Sequence, residues 1–503
     1  MTVDRYLRQS VEAFPEKPAL VCGSERFTYK ALGDAAGSFA GFLRTNGLRT
    51  GERVAVYLGN CPETVIAIFG TAQAGGTVVT INAATPSERV GYILRSCEPR
   101  FIVAPGAKLG QITEAEQGHP SPPVHILTGE PGGAASAFGF EDACRAPSLT
   151  GGRPVSDEDV AAIVYTSGST GTPKGATLTH RNFDVVTSAV GGYLGHTSED
   201  IILSFLPLSI TYGLLQLLVT FRTGGTLVLE RSFGYPFEFI NRLKKDKITG
   251  FAGVPTVYSI ITQLNLAGET FPSLRYITNS AAAIPPNFLR RLREIFSTTK
   301  IYLMYGLTEC LRTSYLPPEE VMMRPTSIGR GMSCDELWLE DAGGNRLPAG
   351  ETGEMIVRGP NVMKGYWNDP EATAKALRDE INPVGKVLRT GDLFRMDEEG
   401  YFYFVSRIDD MIKSRGLKVS PLEVEEAIYL LGDVMEARVI GIPDAVLGQA
   451  IKAEVVLKNG GTLTAEQIKA HCQKHLEEFK IPKTVEFVES LPKTEGGKIK
   501  RIT

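Results

Sequence analysis

A loop rich in glycine and hydroxyl side chains occupies residues 166–175 of the 503-residue sequence and reads TSGSTGTPKG. Glycine lets backbone N–H groups approach an anion closely, and the serine and threonine hydroxyls donate further hydrogen bonds. Lys174 adds a positive charge. The apolar run AAIVY at 161–165 predicts a strand before the loop, and a helix is expected after it. A loop of this composition between a strand and a helix predicts phosphate binding.

The spacing of this loop differs from that of nucleoside triphosphatases. Their motif, GxxxxGK[ST], places Ser or Thr directly after the lysine, whereas Gly175 follows Lys174 here, and the distance from glycine to lysine also differs. The loop is therefore predicted to bind phosphate, but the protein is not predicted to be a nucleoside triphosphatase of that class. A Ser/Gly-rich surface turn remains the alternative for the loop taken alone.

Composition and charge narrow the class of protein. Hydrophobic residues make up 43% and charged residues 22% of the chain, which is typical of a globular enzyme. The formal net charge of −4 gives no general electrostatic case for nucleic acid or an anionic membrane. Seven scattered cysteines without a CxxC pair predict reduced thiols and a cytoplasmic location. The first seventeen residues have no apolar core, so no secretory signal is expected.

One uncharged segment, residues 201–221, has the length of a membrane span. It also contains Pro207, Gly213 and Gln216, which favour the wall of a large protein core instead. No transmembrane segment is therefore predicted.

Helical and strand-like segments alternate along the first part of the chain. Helical periodicity marks 29–46 and 62–74. Strand-like runs occupy 53–57, 77–81, 160–165, 226–229, 248–252 and 274–278. This alternation predicts an α/β fold with a largely parallel sheet. The Gly/Ala/Ser-rich stretch 129–140 is expected to be a surface loop.

The pattern changes after residue 389, where short strand-like runs mix with helical stretches at 421–431 and 465–479. The polar sequence 406–418, SRIDDMIKSRGLK, is the candidate interdomain connection. We expect a large, multi-layer N-terminal α/β domain with mainly parallel sheets over 1–406. A small, mobile α+β C-terminal domain is expected over 407–503, with its hinge near Asp409.

Four further motifs follow the loop in order: YGLTE at 305–309, RTGD at 389–392, the segment 407–418, and PKTEGGKIKR at 492–501. Together the five motifs resemble those of the adenylate-forming superfamily of acyl- and aryl-CoA ligases, luciferases and peptide-synthetase adenylation domains. The resemblance extends over nearly the whole chain. It implies that ATP and a carboxylic acid form an acyl-adenylate and pyrophosphate.

The resemblance also implies how ATP and Mg²⁺ are held. The loop would contact the β- and γ-phosphates, and Glu309 would help to bind Mg²⁺ with Thr166 nearby; taken alone, Glu309 would more often be a solvated surface acid. Lys498, Thr166, Glu309 and Lys174 form the implied catalytic set. The implied ATP-binding residues are Thr166, Ser167, Gly168, Ser169, Thr170, Gly171, Thr172, Lys174, Ala281, Ala282, Ala283, Tyr305, Gly306, Thr308, Glu309, Asp392, Arg407 and Lys498.

Individual roles follow from the same resemblance. Asp392 matches the aspartate that accepts hydrogen bonds from both ribose hydroxyls, a role that suits an acceptor-only carboxylate; a turn aspartate after Gly391 is the alternative. Arg407 would contact ribose or phosphate, and Tyr305 would flank the adenine. Residues 280–283 read SAAA, at the place where many relatives carry a Gly-Gly-Ala run whose backbone lies against the nucleotide.

Lys498 matches the lysine that bridges the carboxylate and the α-phosphate during adenylation. Because it lies far along the chain from the loop, the small domain must close over ATP and afterwards rotate away. The residues implied in the hinge and in CoA binding are Asp409, Lys413, Gly416 and Lys418.

The acyl pocket departs from much of the family. Ser209 and Ile210 stand where many ligases have an aromatic–His pair, and Thr211 stands where amino-acid-activating domains have an aspartate. Thr211 cannot pair with an α-ammonium group, so an uncharged, largely apolar acyl group is expected. The candidate pocket residues are Ile210, Thr211, Tyr212, Gly213, Ala281 and Gly306.

The leading hypothesis is an AMP-forming acid–CoA ligase that uses ATP, Mg²⁺ and coenzyme A. One alternative is an adenylating enzyme that loads a separate acyl carrier protein, because no carrier domain follows Lys500. A nucleotide-binding protein without catalytic activity and a luciferase-like oxidase are further alternatives. The expected binding partner is a small-molecule carboxylic acid, and no binding to nucleic acid is expected. The sequence leaves the oligomeric state open between a monomer and a dimer.

Overall fold

The computed structural model describes residues 1–130, 137–149, 155–167, 172–379, 386–444, 446–494 and 497–501. Within these ranges the chain forms three β-sheets with helices packed against them.

The α-helices of the described residues are α1 (Val3–Ala13), α2 (Tyr29–Thr45), α3 (Pro62–Gln73), α4 (Ser87–Cys97), α5 (Leu109–Ala115), α6 (Phe140–Ala143), α7 (His180–Leu194), α8 (Thr211–Thr223), α9 (Pro236–Lys245), α10 (Pro255–Gln263), α11 (Pro286–Ile295), α12 (Pro370–Ala376), α13 (Pro421–Tyr429) and α14 (Ala465–His475). Short 3₁₀ turns lie at Gly106–Lys108 and Glu478–Lys480.

The strands of the described residues are β1 (Pro18–Cys22), β2 (Glu25–Thr28), β3 (Arg53–Leu58), β4 (Thr77–Asn82), β5 (Phe101–Pro105), β6 (Val124–Thr128), β7 (Phe138–Gly139), β8 (Val160–Ser167), β9 (Pro173–Thr179), β10 (Ile201–Ser204), β11 (Thr226–Leu229), β12 (Gly250–Gly253), β13 (Tyr276–Asn279), β14 (Lys300–Tyr305), β15 (Ser314–Leu316), β16 (Ser327–Gly331), β17 (Glu336–Glu340), β18 (Thr352–Arg358), β19 (Gly365–Tyr366), β20 (Leu377–Asp379), β21 (Lys386–Met396), β22 (Phe402–Arg407), β23 (Ile412–Ser414), β24 (Leu417–Val419), β25 (Val434–Asp444), β26 (Gly448–Leu457) and β27 (Thr484–Phe487).

The largest sheet has the order β17-β18-β21-β22-β16-β15-β14-β13-β12-β10-β11-β1-β2, with β20 paired to β21. Its strands from β14 through β1 are parallel. The strands from β15 to β17 and the edge strand β2 are antiparallel. The parallel half was predicted from the alternation of helix and strand, whereas the antiparallel half was not.

The second sheet has the order β19-β9-β8-β4-β3-β5-β6-β7, and β8 through β7 are parallel. The third is a small sheet of β24-β23-β26-β25, with β27 beside β26, and α13 and α14 belong to the same C-terminal unit. The expected α/β class, with a large N-terminal part and a smaller α+β C-terminal part, is confirmed.

Several segments differ from the sequence-based expectation. The expected surface loop 129–140 ends in β7 and the start of α6, although residues 131–136 lie outside the described residues. The connection 406–418 contains β23 and most of β24. The last long helix ends at His475, four residues before the periodic pattern ends.

The uncharged segment 201–221 consists of β10, a connecting loop and most of α8. Nearly every α8 residue from Tyr212 to Phe221 is buried, and the Phe221 ring stacks on Phe69 of α3 at 5.3 Å. Among the described residues, every helix is too short or too polar to cross a membrane. The segment is a wall of the core, as predicted.

Gly329 marks a place where two strands of the antiparallel half approach too closely for a side chain. Its φ is +82°, and a Cβ atom there would overlap the backbone carbonyl of Tyr315 in β15. Gly400 in the turn after β21 has a nearly identical φ of +81° with nothing within 4 Å of the same position.

We therefore expect Gly329→Ala to destabilise the protein more than Gly400→Ala. Both variants bear the cost of a left-handed conformation, about 1–2 kcal/mol, but only the first adds an overlap that costs a further 1–3 kcal/mol or so. Thermal unfolding followed by circular dichroism measures the difference. Equal midpoints for the two variants would show that the β15–β16 contact tolerates a methyl group.

Candidate active site

The glycine-rich loop joins two antiparallel strands. Thr166 near the end of β8 lies opposite Lys174 in β9, and a Cβ atom at Gly175 would lie 2.8 Å from the side chain of Ile163. The expected helix directly after the loop is wrong, because β9 intervenes and α7 begins only at His180. Helix α7 is capped by Thr179, so its N-terminal N–H groups are partly used within the protein. Gly168, Ser169, Thr170 and Gly171 lie outside the described residues.

Tyr366 connects the strand after this loop to Glu309. The strand β19 that carries Tyr366 pairs with β9 at Ala176, and the Tyr366 hydroxyl donates a 2.7 Å hydrogen bond to Glu309 Oε1. Lys174 Nζ lies 5.5 Å from the centroid of the same ring. Burial raises the pKa of Tyr366, so its hydroxyl remains a donor. The sequence analysis missed Tyr366, although the Tyr-Trp pair after Gly365 was a usable signal.

The side chains around Glu309 fit a Mg²⁺ ion that is bound mainly by phosphate. Among the described residues, no group of three or more His, Cys, Asp or Glu side chains could enclose a metal. Mg²⁺ usually takes only one or two carboxylates from the protein and its remaining ligands from water and substrate phosphates. Glu309 provides one carboxylate of the kind that such a site requires, and the Thr166 hydroxyl on β8 is the second oxygen that the sequence predicts for it.

Asp392 is a buried carboxylate with one unsatisfied oxygen. It is 4% exposed, accepts a 2.7 Å hydrogen bond from the Tyr305 hydroxyl, and lies 3.5 Å from Arg407 Nε through Oδ1. Oδ1 has no hydrogen-bond partner among the described residues. Burial raises the pKa of Asp392, and Arg407 and Tyr305 oppose that rise. A buried acceptor of this kind suits a hydroxyl donor from a ligand.

The turn that presents Asp392 is fixed by Glu354 of β18. Glu354 accepts hydrogen bonds from the Gly391 amide at 3.0 Å and from Arg389 at 2.6 Å. Gly391 has a φ of +71°, a conformation that glycine adopts without strain. The sequence analysis missed Glu354, because its role depends on the antiparallel pairing of β18 with β21.

Lys498 lies near Asp392 and Arg407. Burial lowers the pKa of Lys498, the negative charge of Asp392 raises it, and Arg407 lowers it further. The side chain is half-buried, and the loop that carries it is closed by a 2.7 Å hydrogen bond from the Thr494 amide to the Lys498 carbonyl. Residues that are more than a hundred positions apart are thus brought into one cluster of charges.

The loop of Lys498 lies against the start of α10 in the large domain. Thr256 Oγ1 donates a 3.4 Å hydrogen bond to the Gly497 carbonyl, and a Cβ atom at Gly497 would lie 3.2 Å from Val254. Further along the same interface, Asn287 of α11 donates a 2.9 Å hydrogen bond to the Tyr429 carbonyl. These few polar contacts hold the small unit over the large one.

Three of the four hinge and CoA candidates lie on the first hairpin of the small unit, and the fourth lies just before it. Asp409 is in the turn between β22 and β23, and Lys413 lies in β23. Arg415 and Gly416 form the two-residue turn between β23 and β24 with φ values of +55° and +77°, as a type I′ turn requires. Lys418 is exposed in β24. The turn alone accounts for glycine at 416.

The 280–283 segment carries local backbone strain. Ala281 has a φ of +76°, a region that favours glycine, and the side chains of Ala281, Ala282 and Ala283 are exposed. Asn279 steadies the turn with a 2.8 Å hydrogen bond to the Ala282 carbonyl. Non-glycine residues in this conformation cluster at functional sites.

A narrow apolar cavity of about 40 Å³ lies between α7, α8 and strands β10, β12, β13 and β14. Of the six acyl-pocket candidates, Tyr212 lines it. Ile210, Thr211, Gly213, Ala281 and Gly306 are not among its lining residues. A Cβ atom at Gly213 would overlap the backbone carbonyl of Pro207, and one at Gly306 would overlap that of Leu311. Close backbone packing therefore explains why both positions are glycine.

Comparison with known protein families agrees with this geometry. The AMP-binding enzyme family matches residues 7–367, and the AMP-binding enzyme C-terminal domain matches residues 423–498. The chain belongs to the AMP-binding enzyme family. Among its relatives, the long-chain-fatty-acid–CoA ligase of Bacillus subtilis (strain 168) is 32% identical, covering 99% of this chain and 93% of the relative. The oxalate–CoA ligase of Arabidopsis thaliana is 31% identical, covering 99% and 97%.

Solved structures give the same result. ATP-bound MatB from Rhodopseudomonas palustris superposes with a TM-score of 0.89 at 28% identity, covering 99% of this chain and 97% of MatB. The apo form of the same protein superposes with a TM-score of 0.80. The chain is thus an ATP-dependent, AMP-forming acid–CoA ligase that uses Mg²⁺, as its sequence predicted.

The contact between Tyr366 and Glu309 predicts a graded effect on Mg²⁺ dependence. Glu309→Gln removes the carboxylate charge, so the Mg²⁺ concentration for half-maximal rate should rise by about 100-fold or more. Tyr366→Phe removes only the orienting hydroxyl and should raise it by about 10-fold. Pyrophosphate release measured over a Mg²⁺ titration tests both. Glu319→Gln, an exposed change near in sequence, is the control, and equal Mg²⁺ dependence in Tyr366→Phe and wild type would contradict the orienting role.

Proposed function

We propose that the arrangement described here is the one in which this acid–CoA ligase forms the acyl-adenylate. The observation that carries the proposal is the cluster of Lys498, Asp392 and Arg407, which joins the C-terminal loop to the large domain. The higher TM-score with ATP-bound MatB than with apo MatB supports it.

In the first half-reaction the substrate carboxylate attacks the α-phosphorus, and the bond to pyrophosphate breaks. Two anions must approach each other, so positive charge and fixed donors are required. Lys498 would supply a charge between the carboxylate and the α-phosphate. Lys174 and the 166–175 loop would hold the leaving pyrophosphate. Mg²⁺, held by Glu309 and Thr166, would neutralise phosphate charge.

The nucleoside would be oriented by the Asp392 cluster. The Oδ1 atom of Asp392, which accepts no hydrogen bond from the described residues, would accept one from a ribose hydroxyl, and Arg407 would bind ribose or phosphate. Tyr305 is fixed by its hydrogen bond to Asp392 and by an edge contact with Phe394 at 5.0 Å, so one face of its ring would border the adenine. Ala281–Ala283 and Gly306 would line the same nucleotide site with their backbone.

In the second half-reaction the CoA sulfur attacks the acyl carbonyl and AMP leaves. Lys498 would have to withdraw, because the loop that carries it covers the site. A boundary near residue 407, with rotation at Asp409, would divide the chain into 1–406 and 407–503. Lys413, Gly416 and Lys418 would then turn with their hairpin toward the large domain.

Several finer points stay proposals. Relatives at similar identity are named for a long-chain fatty acid and for oxalate, so identity alone does not select the acid. CoA is the proposed acceptor of the acyl group, because the relatives are named CoA ligases. A separate acyl carrier protein is the second candidate acceptor. Scattered cysteines without a CxxC pair support a cytoplasmic location, and monomer and dimer are both compatible with the site.

Pyrophosphate release across a panel of carboxylic acids, with and without CoA, tests the proposed activity. We expect release with a subset of acids, and masses of acyl-CoA and AMP when CoA is present. Acyl-AMP that accumulates and does not react with CoA would instead favour a carrier protein as acceptor. Absence of pyrophosphate release with every acid would remove the adenylation proposal.

Lys498→Ala tests the two-state use of the small domain. Adenylation should fall by about 100-fold or more, since a charge at the α-phosphate is lost. Thioester formation from supplied acyl-AMP should change by less than about threefold, because Lys498 has left the site. Lys500→Ala, an exposed lysine on the same segment, is the control. Equal loss in both half-reactions would contradict domain rotation.

A further inference from the structure

The apolar cavity contains one charged side chain. Its wall is made largely of aliphatic and aromatic residues, among them Val190, Leu215, Val219 and Phe251. Arg312, three residues after Glu309, also lines it. His196 lines the cavity too, but burial lowers its pKa to about 4, so it is neutral at pH 7. Arg312 therefore sets the charge of the cavity.

Arg312 is buried without a carboxylate partner. It is 3% exposed, and among the described residues no ion pair joins its guanidinium to an acidic side chain. Its guanidinium donates a hydrogen bond to the neutral Ser280 hydroxyl, and its buried Nε has no partner among the residues that the structure describes. Arg438, the other deeply buried arginine of the described ranges, is 5% exposed and donates a 2.7 Å hydrogen bond to Glu454.

This difference has an energetic meaning. A cation removed from water needs a counter-ion or a full set of acceptors. Arg312 lies 5.0 Å from the Tyr212 ring centroid, and such a cation–π contact compensates only part of the lost hydration. Arg312 lines the cavity, so a ligand bound there would be within reach of the guanidinium.

Gln216 is a second, independent observation at the same place. It lines the cavity one helical turn after Tyr212 on α8, so both side chains lie on one face of the helix. Both its Oε1 and Nε2 atoms are buried, and neither has a hydrogen-bond partner in the part of the chain that the structure describes. Unsatisfied buried amides of this kind are rare unless a ligand or water completes them.

We propose that Arg312 and Gln216 bind a second carboxylate of the substrate, so that the ligase activates one end of a dicarboxylic acid. The inference rests on the proposed function, because it takes the cavity to hold the acyl group. Arg312 donates to the distal carboxylate as its missing counter-ion, and Gln216 adds an amide N–H. The expectation of an uncharged acyl group came from Thr211, which does not line the cavity; Arg312 does.

Matched pairs of acids test this preference. Wild-type kcat/KM for pyrophosphate release is compared for succinate and butanoate, glutarate and pentanoate, and adipate and hexanoate, with CoA present. We expect at least one dicarboxylate to exceed its monocarboxylate partner by 100-fold or more. Pyrophosphate release from monocarboxylates alone would overturn the inference and leave the ligase function intact. Absence of release from every acid, including the wider panel above, would instead remove the proposed function.

Variants of Arg312 locate the preference. Arg312→Met should lower kcat/KM for the preferred dicarboxylate at least 100-fold, mainly through KM, and change that for the matching monocarboxylate by less than threefold. Arg312→Lys should recover part of the loss. Arg395→Met is the control, because Arg395 is an exposed arginine 5.5 Å from the Tyr403 ring centroid. Equal loss with both acids would assign Arg312 to the reacting carboxylate or to folding and overturn the inference.

Gln216→Leu provides a second variant if Arg312→Met does not fold. It should raise KM for the dicarboxylate by about 10-fold, as expected for one lost hydrogen bond to a charged group, with KM for ATP unchanged. The thermal shift produced by ATP should equal that of wild type. An unchanged KM for the dicarboxylate would remove Gln216 from the proposed site.

Discussion

The rest of the site depends on the charge of Asp392, a buried carboxylate that needs positive side chains near it. A carboxylate that is almost fully buried becomes protonated unless cations near it stabilise its negative charge. Arg407 on the neighbouring strand β22 and Lys498 from the C-terminal unit provide those cations. The large domain therefore contains a buried negative charge, and Lys498 of the small unit provides one of the positive charges that stabilise it. The position of one lysine and the ionisation of one aspartate are linked.

Much of the architecture could be predicted because it depends on local pattern. Alternating helix and strand periodicity located α2, α3 and the strands β3 and β4 to within a residue or so. The antiparallel half of the largest sheet could not be found in this way, since pairings such as β18 with β21 join segments that carry no hairpin signal. The strand after the phosphate loop was missed for a related reason. Residues 173–179 contain Pro, Lys and Gly and form a strand only because β8 and β19 lie on either side.

The candidate site shows the same division. Glu309, Asp392, Arg407 and Lys498 stand in recognisable motifs, and the structure brings the last three together. Tyr366, Glu354 and Arg312 act through partners distant in sequence, so residue type alone did not single them out. Arg312 is the clearest case, because an arginine is normally assigned to the surface. Only its burial and lack of a counter-ion indicate a ligand.

The C-terminal loop is tied down at both ends. Lys493 at its start forms a 2.8 Å ion pair with Glu436 of β25, and Arg501 at its end binds Glu425 of α13 at 2.6 Å and lies 3.9 Å from Asp410. A loop anchored in this way cannot swing by itself. In the proposed domain rotation, Lys498 would therefore enter and leave with α13 and the third sheet as one rigid body. The rate of switching between the two half-reactions would then depend on the interface between two folded units, and solvent viscosity would slow it as it slows the diffusion of a small domain.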